Sequence, residues 1–130
     1  MFASVRDKMS KFVGTVTFQD ETGEKKAAIG GILRENEIIY YEDKILVTLK
    51  LFPNKIELRR KCEDYEITFP FEKELTTIGI YDIKCNGMKL EMSIETILLE
   101  VEDASISIQY RLLENKENII SYHLDYNQKK

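Results

Sequence analysis

The sequence is poor in the residues that define several common protein classes. Its 130 residues include two cysteines, two prolines, six glycines and one histidine. Two cysteines cannot build a disulfide framework, and Cys62 and Cys85 lack the CxxC spacing or nearby histidine of a zinc site. The same counts exclude collagen-like and low-complexity chains. We therefore expect a globular protein with reduced cysteines, no metal site and no cofactor.

Long apolar runs and excess positive charge are also missing. No stretch reaches the length that spans a bilayer, and the segment Met1–Lys8 has an early acid and no apolar core, so we expect no signal peptide. The net charge of −4 repels phosphate backbones. The basic run Arg59-Arg60-Lys61 would alternate between the two faces of a strand. These features favour a soluble cytoplasmic protein that binds neither nucleic acid nor membrane.

Alanine, the strongest helix former, is scarce, whereas β-branched residues are abundant. The chain has 4 Ala against 16 Ile, 5 Val and 8 Thr. Apolar and polar residues alternate in about ten runs spaced by roughly 8 to 12 residues, which is typical of an antiparallel sandwich or barrel. Because short turns join consecutive runs, we predict one all-β domain over residues 1–130, an antiparallel barrel of about 8 to 10 strands. The runs are Lys11–Gln19, Lys25–Leu33, Ile38–Glu42, Ile45–Leu51, Lys55–Arg60, Tyr65–Phe71, Ile78–Lys84, Met88–Val101, Ala104–Leu112 and Ile120–Tyr126.

Four local features mark turns and irregularities within these runs. Asn86-Gly87 between two alternating runs is a strong hairpin signal. The apolar phase slips by one residue after Ile94, which predicts a bulge near Glu95-Thr96. Gly30-Gly31 interrupts its run, as a bulge or a sharp bend would. Pro70 predicts that its strand lies at an edge or ends there.

Residues with possible chemistry are few, and each has a plain structural alternative. His123, between Ser121 and Asp125, offers the residue types of a catalytic triad but lacks the glycines of a nucleophile elbow. A plain strand histidine is the favoured interpretation. No phosphate-binding loop, dinucleotide fingerprint or HExxH motif is present. The sequence therefore supplies no catalytic residue.

Two carboxylates stand out among many that belong to solvated faces. Glu42 and Asp82 interrupt otherwise apolar series, and a buried carboxylate needs a partner. Arg59 is the candidate partner. The favoured interpretation is nevertheless that Glu42 and Asp82 are both surface charges.

The order of several short features between Gly30 and Tyr126 is more informative than any one of them. They are Gly31, Ile39-Tyr40-Tyr41-Glu42, Thr48, Leu58-Arg59, a segment from Phe71 to Thr96 that holds Thr76-Thr77, Tyr81, Asn86-Gly87 and Leu90-Glu91-Met92, and the strand Ile106 to Tyr110. In this order they resemble the YwiB-like family of uncharacterised bacterial calycin-type β-barrel proteins. The resemblance implies a lipocalin-type barrel with a central cavity, and it implies no established activity. One difference is that the family commonly has glycine two residues after the strand-ending arginine, where this chain has Lys61.

The leading functional hypothesis is non-catalytic binding of a small, largely apolar ligand inside the barrel. A barrel of about eight strands either fills its interior with side chains or holds one small molecule. The predicted ligand-binding residues are polar positions in apolar strands within the family-like segments: Tyr41, Glu42, Arg59, Tyr81 and Thr96.

The alternative is a protein-interaction or self-associating scaffold, such as a homodimer, with a filled core. Its marker would be an apolar patch on the outer wall, where both faces of Leu46–Phe52 and Ile97–Val101 are apolar. An enzyme would require convergent polar groups with perturbed pKa values in one pocket.

Overall fold

Alternating residues form ten antiparallel strands in the computed structural model, which describes residues 9–128. Each strand pairs with the next along the chain, and β1 also pairs with β10, so the sheet closes into a barrel. The prediction of an all-β antiparallel barrel is confirmed. Met1–Lys8 lies outside the described residues. The strands are β1 (Ser10–Asp20), β2 (Gly23–Arg34), β3 (Glu37–Glu42), β4 (Ile45–Phe52), β5 (Lys55–Lys61), β6 (Tyr65–Glu72), β7 (Thr76–Ile83), β8 (Met88–Glu102), β9 (Ser105–Leu112) and β10 (Ile120–Gln128).

The core lies inside the barrel, where one face of each strand points inward. Side chains from non-neighbouring strands meet across it: the rings of Phe71 on β6 and Tyr110 on β9 have centroids 4.8 Å apart. The phenol oxygens of Tyr40 on β3 and Tyr122 on β10 lie 2.8 Å apart. Burial of apolar area is the main term that stabilises such an arrangement. The buried apolar residues are Phe12, Val16, Ile29, Leu33, Ile38, Tyr40, Val47, Leu49, Ile56, Leu58, Phe71, Ile94, Ile106, Ile108, Tyr110, Tyr122 and Leu124.

Two predicted irregularities in the second half of the chain are confirmed. The hairpin between β7 and β8 turns at Asn86-Gly87: Gly87 has φ +69°, and the Asn86 side-chain oxygen accepts a 2.9 Å hydrogen bond from the Met88 N–H. In β8 the register against β9 shifts between Thr96 and Leu98, which is the expected bulge. The bulge explains how β8 keeps the same face toward the barrel interior although its apolar alternation shifts by one residue.

Of the two breaks predicted at Gly30-Gly31, a bulge or a sharp bend, the bulge is excluded. The register between β1 and β2 is unbroken from Ser10 opposite Leu33 to Asp20 opposite Gly23. Gly31 is needed for a different reason: a Cβ at this position would collide with the Ile39 carbonyl oxygen and with the side chains of Phe12 and Tyr40. The glycine lets β1 and β3 approach β2 closely where the barrel curls.

The strands are strongly staggered, so some neighbours pair over short lengths. β6 and β7 pair from Tyr65–Ile83 to Thr68–Ile80 alone, and Pro70 lies just beyond this stretch. The prediction that this strand lies at an edge or ends at Pro70 is wrong, because β6 has neighbours on both sides in the closed barrel and continues to Glu72. Pro70 is tolerated because this part of β6 has no ladder partner on β7. The turns that follow β1, β3, β5, β7 and β9 share one end of the barrel, which we call the upper end. There the Glu21 N–H donates a 3.1 Å hydrogen bond to the Asn118 side-chain oxygen, linking the first and last of these turns.

Candidate functional site

A row of inward-facing residues crosses five strands at the upper end of the barrel. Residues directly opposite each other on antiparallel neighbours share a face, and the register runs Val47, Arg60, Ile67, Tyr81, Leu90 from β4 to β8. Val47 is fully buried, whereas Leu90 is 42% exposed. The inner face of the sheet therefore emerges from the core into solvent along β7 and β8.

The next row toward the turns continues this exposed inner face. Tyr65 lies opposite Ile83, and Ile83 lies opposite Met88, which is 49% exposed. The rings of Tyr65 and Tyr81 pack with centroids 5.6 Å apart. The result is an exposed, largely apolar inner surface at the upper end, and we call it the barrel mouth. Its defining residues are Glu42, Arg60, Tyr65, Tyr81, Met88 and Leu90.

A charged pair lies on the β3 and β5 side of the barrel mouth. An Arg60 guanidinium nitrogen is 2.8 Å from a Glu42 carboxylate oxygen, and about a quarter of each side chain is exposed. Burial lowers the pKa of Arg60, but the charge and hydrogen bond of Glu42 outweigh burial and raise that pKa overall. The guanidinium therefore stays charged, and the pair presents hydrogen-bond donors without net charge.

Three buried tyrosines lie deeper, on the inward faces of β3, β9 and β10. Burial raises the pKa of Tyr110 to about 12 and shifts the pKa values of Tyr40 and Tyr122 further upward. General acids and bases work best with a pKa near the operating pH. These phenols are shifted away from neutral pH, so they act as neutral hydrogen-bonding groups.

Thr96 contributes an inward hydroxyl that stands apart from this network. It is 1% exposed and lies opposite Tyr110 on β9. Its Oγ1 atom has no hydrogen-bond partner among residues 9–128. Such a group carries a desolvation cost that a bound hydrogen-bonding molecule would relieve.

The five residues proposed from the sequence do not form one cluster. Glu42 and Tyr81 lie in the barrel mouth, and Thr96 faces the interior. Tyr41 is 62% exposed on the outer wall, because it follows the inward-facing Tyr40. Arg59 also faces outward, one residue from Arg60. The inward subset is therefore Glu42, Tyr81 and Thr96.

The candidate ion pair between Arg59 and Asp82 does not form, and Asp82 is a surface charge, as the favoured interpretation has it. Arg59 lies within 3.6 Å of Glu57 and 3.5 Å of Glu66 on the outer wall. Asp82 also faces outward, since it lies opposite Glu66 on β6 and Lys89 on β8. Solvent screens such surface pairs, so these contacts contribute little to stability.

Arg60 is the principal site residue that the sequence prediction missed. The alternation that puts Ile56 and Leu58 on the inner face assigns the next inward position to Arg60. A strict continuation of that phase would have identified Arg60 rather than Arg59. Glu42 follows from the same rule, because it shares a face with Ile38 and Tyr40.

A serine, a histidine and an aspartate do meet, but on the outer wall. Ser107 Oγ lies 2.6 Å from His123 Nδ1, and His123 Nε2 lies 3.0 Å from Asp125 Oδ1. Ser107, not Ser121, is the serine involved. Because β9 is paired with both β8 and β10, the backbone N–H groups around Ser107 serve the sheet and cannot form an oxyanion hole. The contact is an outer-wall polar chain.

The two apolar runs proposed as an outer-wall patch are separated in the barrel. Phe52, 49% exposed, is at the end of β4, and Val101, 51% exposed, is on β8, with three strands between them. Lys55 lies over the Phe52 ring at 5.5 Å from its centroid. The two runs therefore do not form one contiguous patch.

The cysteine and acidic side chains of the described part of the chain form no further site of a common type. Cys62 and Cys85 are free thiols. No three histidine, cysteine, aspartate or glutamate side chains among residues 9–128 come together in a way that could hold a metal ion. Over the same residues, no helix has the length and apolar character needed to cross a bilayer.

Comparisons with known proteins identify the family and the fold. A family model described as "Domain of unknown function (DUF1934)" matches residues 11–125. The chain is also similar to the ywiB protein from Bacillus subtilis, whose crystal structure has a TM-score of 0.73 at 17% identity, with each chain covered completely. At this identity the likeness establishes the fold alone. No curated protein matches the chain. The family match begins at residue 11, in β1, whereas the resemblance seen in the sequence begins at Gly30, in β2.

Proposed function

Since this chain belongs to the DUF1934 family, whose function is unknown, we propose from its geometry that the barrel mouth binds a small, largely apolar molecule without converting it. The supporting observation is the exposed inner face of β7 and β8. Inward-facing Leu90 and Met88 keep more than two-fifths of their surface in solvent. Apolar side chains on the inner face of a closed barrel normally become buried, so their exposure here supports a binding surface.

The apolar and aromatic side chains would contact the body of the ligand. Tyr65 and Tyr81 offer ring faces, and Met88 offers a flexible thioether chain that adapts to different shapes. Covering this surface removes apolar area from water, which is the main favourable term in binding of this kind.

The polar end of the ligand would meet Arg60. One guanidinium nitrogen bonds Glu42 at 2.8 Å, and the planar group carries five N–H donors in total. A ligand with a carbonyl, carboxylate or sulfonate at one end can therefore accept hydrogen bonds from Arg60 while its apolar body lies against β7 and β8. We expect this binding to take place in the cytoplasm.

A fluorescent probe with these properties tests the proposal. 1-Anilinonaphthalene-8-sulfonate has an aromatic body and an anionic end, and its emission rises in apolar surroundings. We expect the full-length protein to bind it saturably and Arg60→Gln to weaken binding about tenfold, as loss of a charge-assisted hydrogen bond does. Arg59→Gln is the matched control, because it removes the same charge one residue away on the outer wall, and binding should change by less than about twofold.

A second variant separates binding from folding. Arg60→Gln alone leaves Glu42 without its partner, so the double variant Glu42→Gln/Arg60→Gln is measured beside it, with circular dichroism as a check of the fold. The double variant should fold and still bind the probe weakly. Equal binding by the wild type and both Arg60 variants, or no saturable binding by the wild type, would contradict the proposal.

A further inference from the structure

The first part of β8 has a sheet neighbour on one side alone. β7 pairs with β8 from Met88 to Glu95, but β9 pairs with β8 only from Ile94 onward. The 3-10 helix Leu113–Asn115 follows β9 directly and lies beside β8 just past Leu112, the partner of Ile94. Among the described residues, the segment Met88–Met92 therefore has a free edge, with unpaired backbone N–H and C=O groups. We call this segment the β8 edge.

The side chains of the β8 edge alternate between an apolar inner face and a charged outer face. Met88, Leu90 and Met92 share the inner face, and the first two are exposed apolar residues. Lys89 and Glu91 share the outer face and are exposed. Lys89 lies opposite Asp82 on β7, but neither Lys89 nor Glu91 forms an ion pair within residues 9–128. An exposed, largely apolar edge of this kind is a template for pairing with another strand.

The order of these residues is self-complementary about Leu90. In an antiparallel pair of two β8 edges centred on Leu90, Leu90 lies opposite Leu90 of the second copy, and Met88 lies opposite Met92. Lys89 then lies opposite Glu91 in both directions, which gives two cross-strand pairs of opposite charge. We propose that this edge is a homodimer interface, in which two copies join their sheets through antiparallel β8 edges.

The limits of the free edge agree with this register. β8 begins at Met88, and beyond Met92 it approaches Ile94, which pairs with Leu112, the last residue of β9. A two-fold axis at Leu90 pairs Met88 with Met92 and leaves the β9 strands of both copies outside the paired segment. A two-fold symmetric contact of this kind uses the same surface on both copies and closes without forming a filament.

The pairing has a consequence for the barrel mouth. Residues directly opposite each other in an antiparallel pair share a face, so the inner faces of both β7–β8 hairpins would lie on the same side of one continuous sheet. The two barrel mouths would then open side by side, with Leu90 of both copies between them. This inference goes beyond the proposed ligand binding and does not depend on it.

Charge reversal on the outer face tests the interface. Five-residue edges make a small contact, so we expect a monomer–dimer equilibrium within about 10 μM to 1 mM, measured by sedimentation velocity on the full chain. Lys89→Glu and Glu91→Lys each put like charges opposite one another at two positions. Each variant should weaken dimerisation about tenfold or more. Both positions are exposed, so the variants should keep the circular dichroism spectrum of the wild type.

Two rescue experiments identify the partner as a second copy in this register. The double variant Lys89→Glu/Glu91→Lys restores opposite charges and should dimerise as the wild type does. An equimolar mixture of the two single variants should form a heterodimer, since every cross-strand pair in that heterodimer is complementary. A wild type that stays monomeric to 1 mM, or a dimer that neither reversal weakens, would overturn the proposal.

Cross-linking checks the register directly. In a background with Cys62→Ser and Cys85→Ser, Leu90→Cys puts two thiols opposite each other at the two-fold axis, and mild oxidation should yield a covalent dimer. Ile78→Cys is the matched control, because Ile78 is similarly exposed on the neighbouring strand β7 but lies away from the edge. Equal cross-linking at both positions would contradict the register.

Discussion

At the scale of single residues, Gly31 is the glycine whose surroundings leave the least room for a Cβ. Its neighbours on both flanking strands leave no room for a Cβ, since the Ile39 carbonyl oxygen and the side chains of Phe12 and Tyr40 already occupy the space. Gly30, one residue earlier, faces the other side, and a Cβ there would make only an ordinary 3.6 Å contact with the Phe12 carbonyl oxygen. Adjacent glycines thus have unrelated roles.

Alanine substitutions at the two glycines should have opposite effects. We expect Gly31→Ala to lower the free energy of unfolding by about 2 to 3 kcal/mol, because overpacking forces neighbouring groups apart. Gly30→Ala should leave it unchanged or raise it by up to about 1 kcal/mol, since alanine loses less backbone entropy on folding. Urea unfolding of both variants measures the difference. Equal destabilisation by the two substitutions would contradict the packing described for Gly31.

The buried tyrosines predict how stability depends on alkaline pH. Burial raises the pKa of Tyr110 in the folded state to about 12, from an ordinary value of 10.0. Below pH 10 the phenol is neutral in both the folded and the unfolded state, so Tyr110 does not lower the free energy of unfolding. Between pH 10 and about 12 the unfolded state loses the proton first, so stability falls, by about 2 to 3 kcal/mol for this residue.

Tyr110→Phe isolates this contribution because it keeps the ring and removes the titrating group. We expect the free energy of unfolding of the variant to fall less steeply than that of the wild type between pH 10 and 12. Urea unfolding at several pH values in this range gives both slopes. Parallel slopes would show that Tyr110 ionises equally in the folded and unfolded states, and this would contradict the statement that burial raises its pKa.

Arg59 and Arg60 mark how far the sequence could predict the candidate site. Identical neighbours on a strand point to opposite faces, and the phase of Ile56 and Leu58 already assigns Arg60 to the inside. Leu58-Arg59 is one of the features that resemble the family, so the prediction named Arg59 instead. The burial of the Tyr40–Tyr122 pair could not be read in the same way, because it depends on which strands face each other across the barrel.

At the scale of strands and turns, local patterns predicted the elements well and their stagger poorly. The alternation of apolar residues, the Asn86-Gly87 turn and the phase slip near Thr96 were all readable, since each is set by adjacent residues. The end of β9 at Leu112, opposite Ile94, leaves the β8 edge free and was not readable. Stagger depends on how the whole sheet closes, and alternation is compatible with several values of it.

The turn between β6 and β7 offers a stabilising substitution. Glu74 has φ +64°, a left-handed conformation that costs a residue with a side chain roughly 1 kcal/mol and costs glycine little. Glu74→Gly should therefore raise the free energy of unfolding by about 0.5 to 1 kcal/mol. Lys73→Gly is the control, because Lys73 has a negative φ and should lose stability on substitution. Urea unfolding of both variants checks the signs, and a loss of stability in Glu74→Gly would count against the assigned turn.

At the scale of the whole molecule, the chain is a ten-stranded barrel whose core is apolar and whose upper end keeps an exposed inner face. Composition and alternation predicted the barrel, and the DUF1934 match establishes the family. The ligand could not be predicted, because Ile, Leu and Val build the wall and few polar residues face inward. Arg60, Glu42 and Tyr81 are the inward exceptions that carry the proposal of ligand binding at the barrel mouth.

Native mass spectrometry of the full-length protein as purified tests that proposal most directly. We predict a population that retains an additional small-molecule mass, which Tyr81→Ala in the barrel mouth reduces severalfold. Tyr41→Ala should leave it intact, because it removes an equal ring from the outer wall. A bare polypeptide mass in the wild type, or equal retention by both variants, would contradict binding at the barrel mouth.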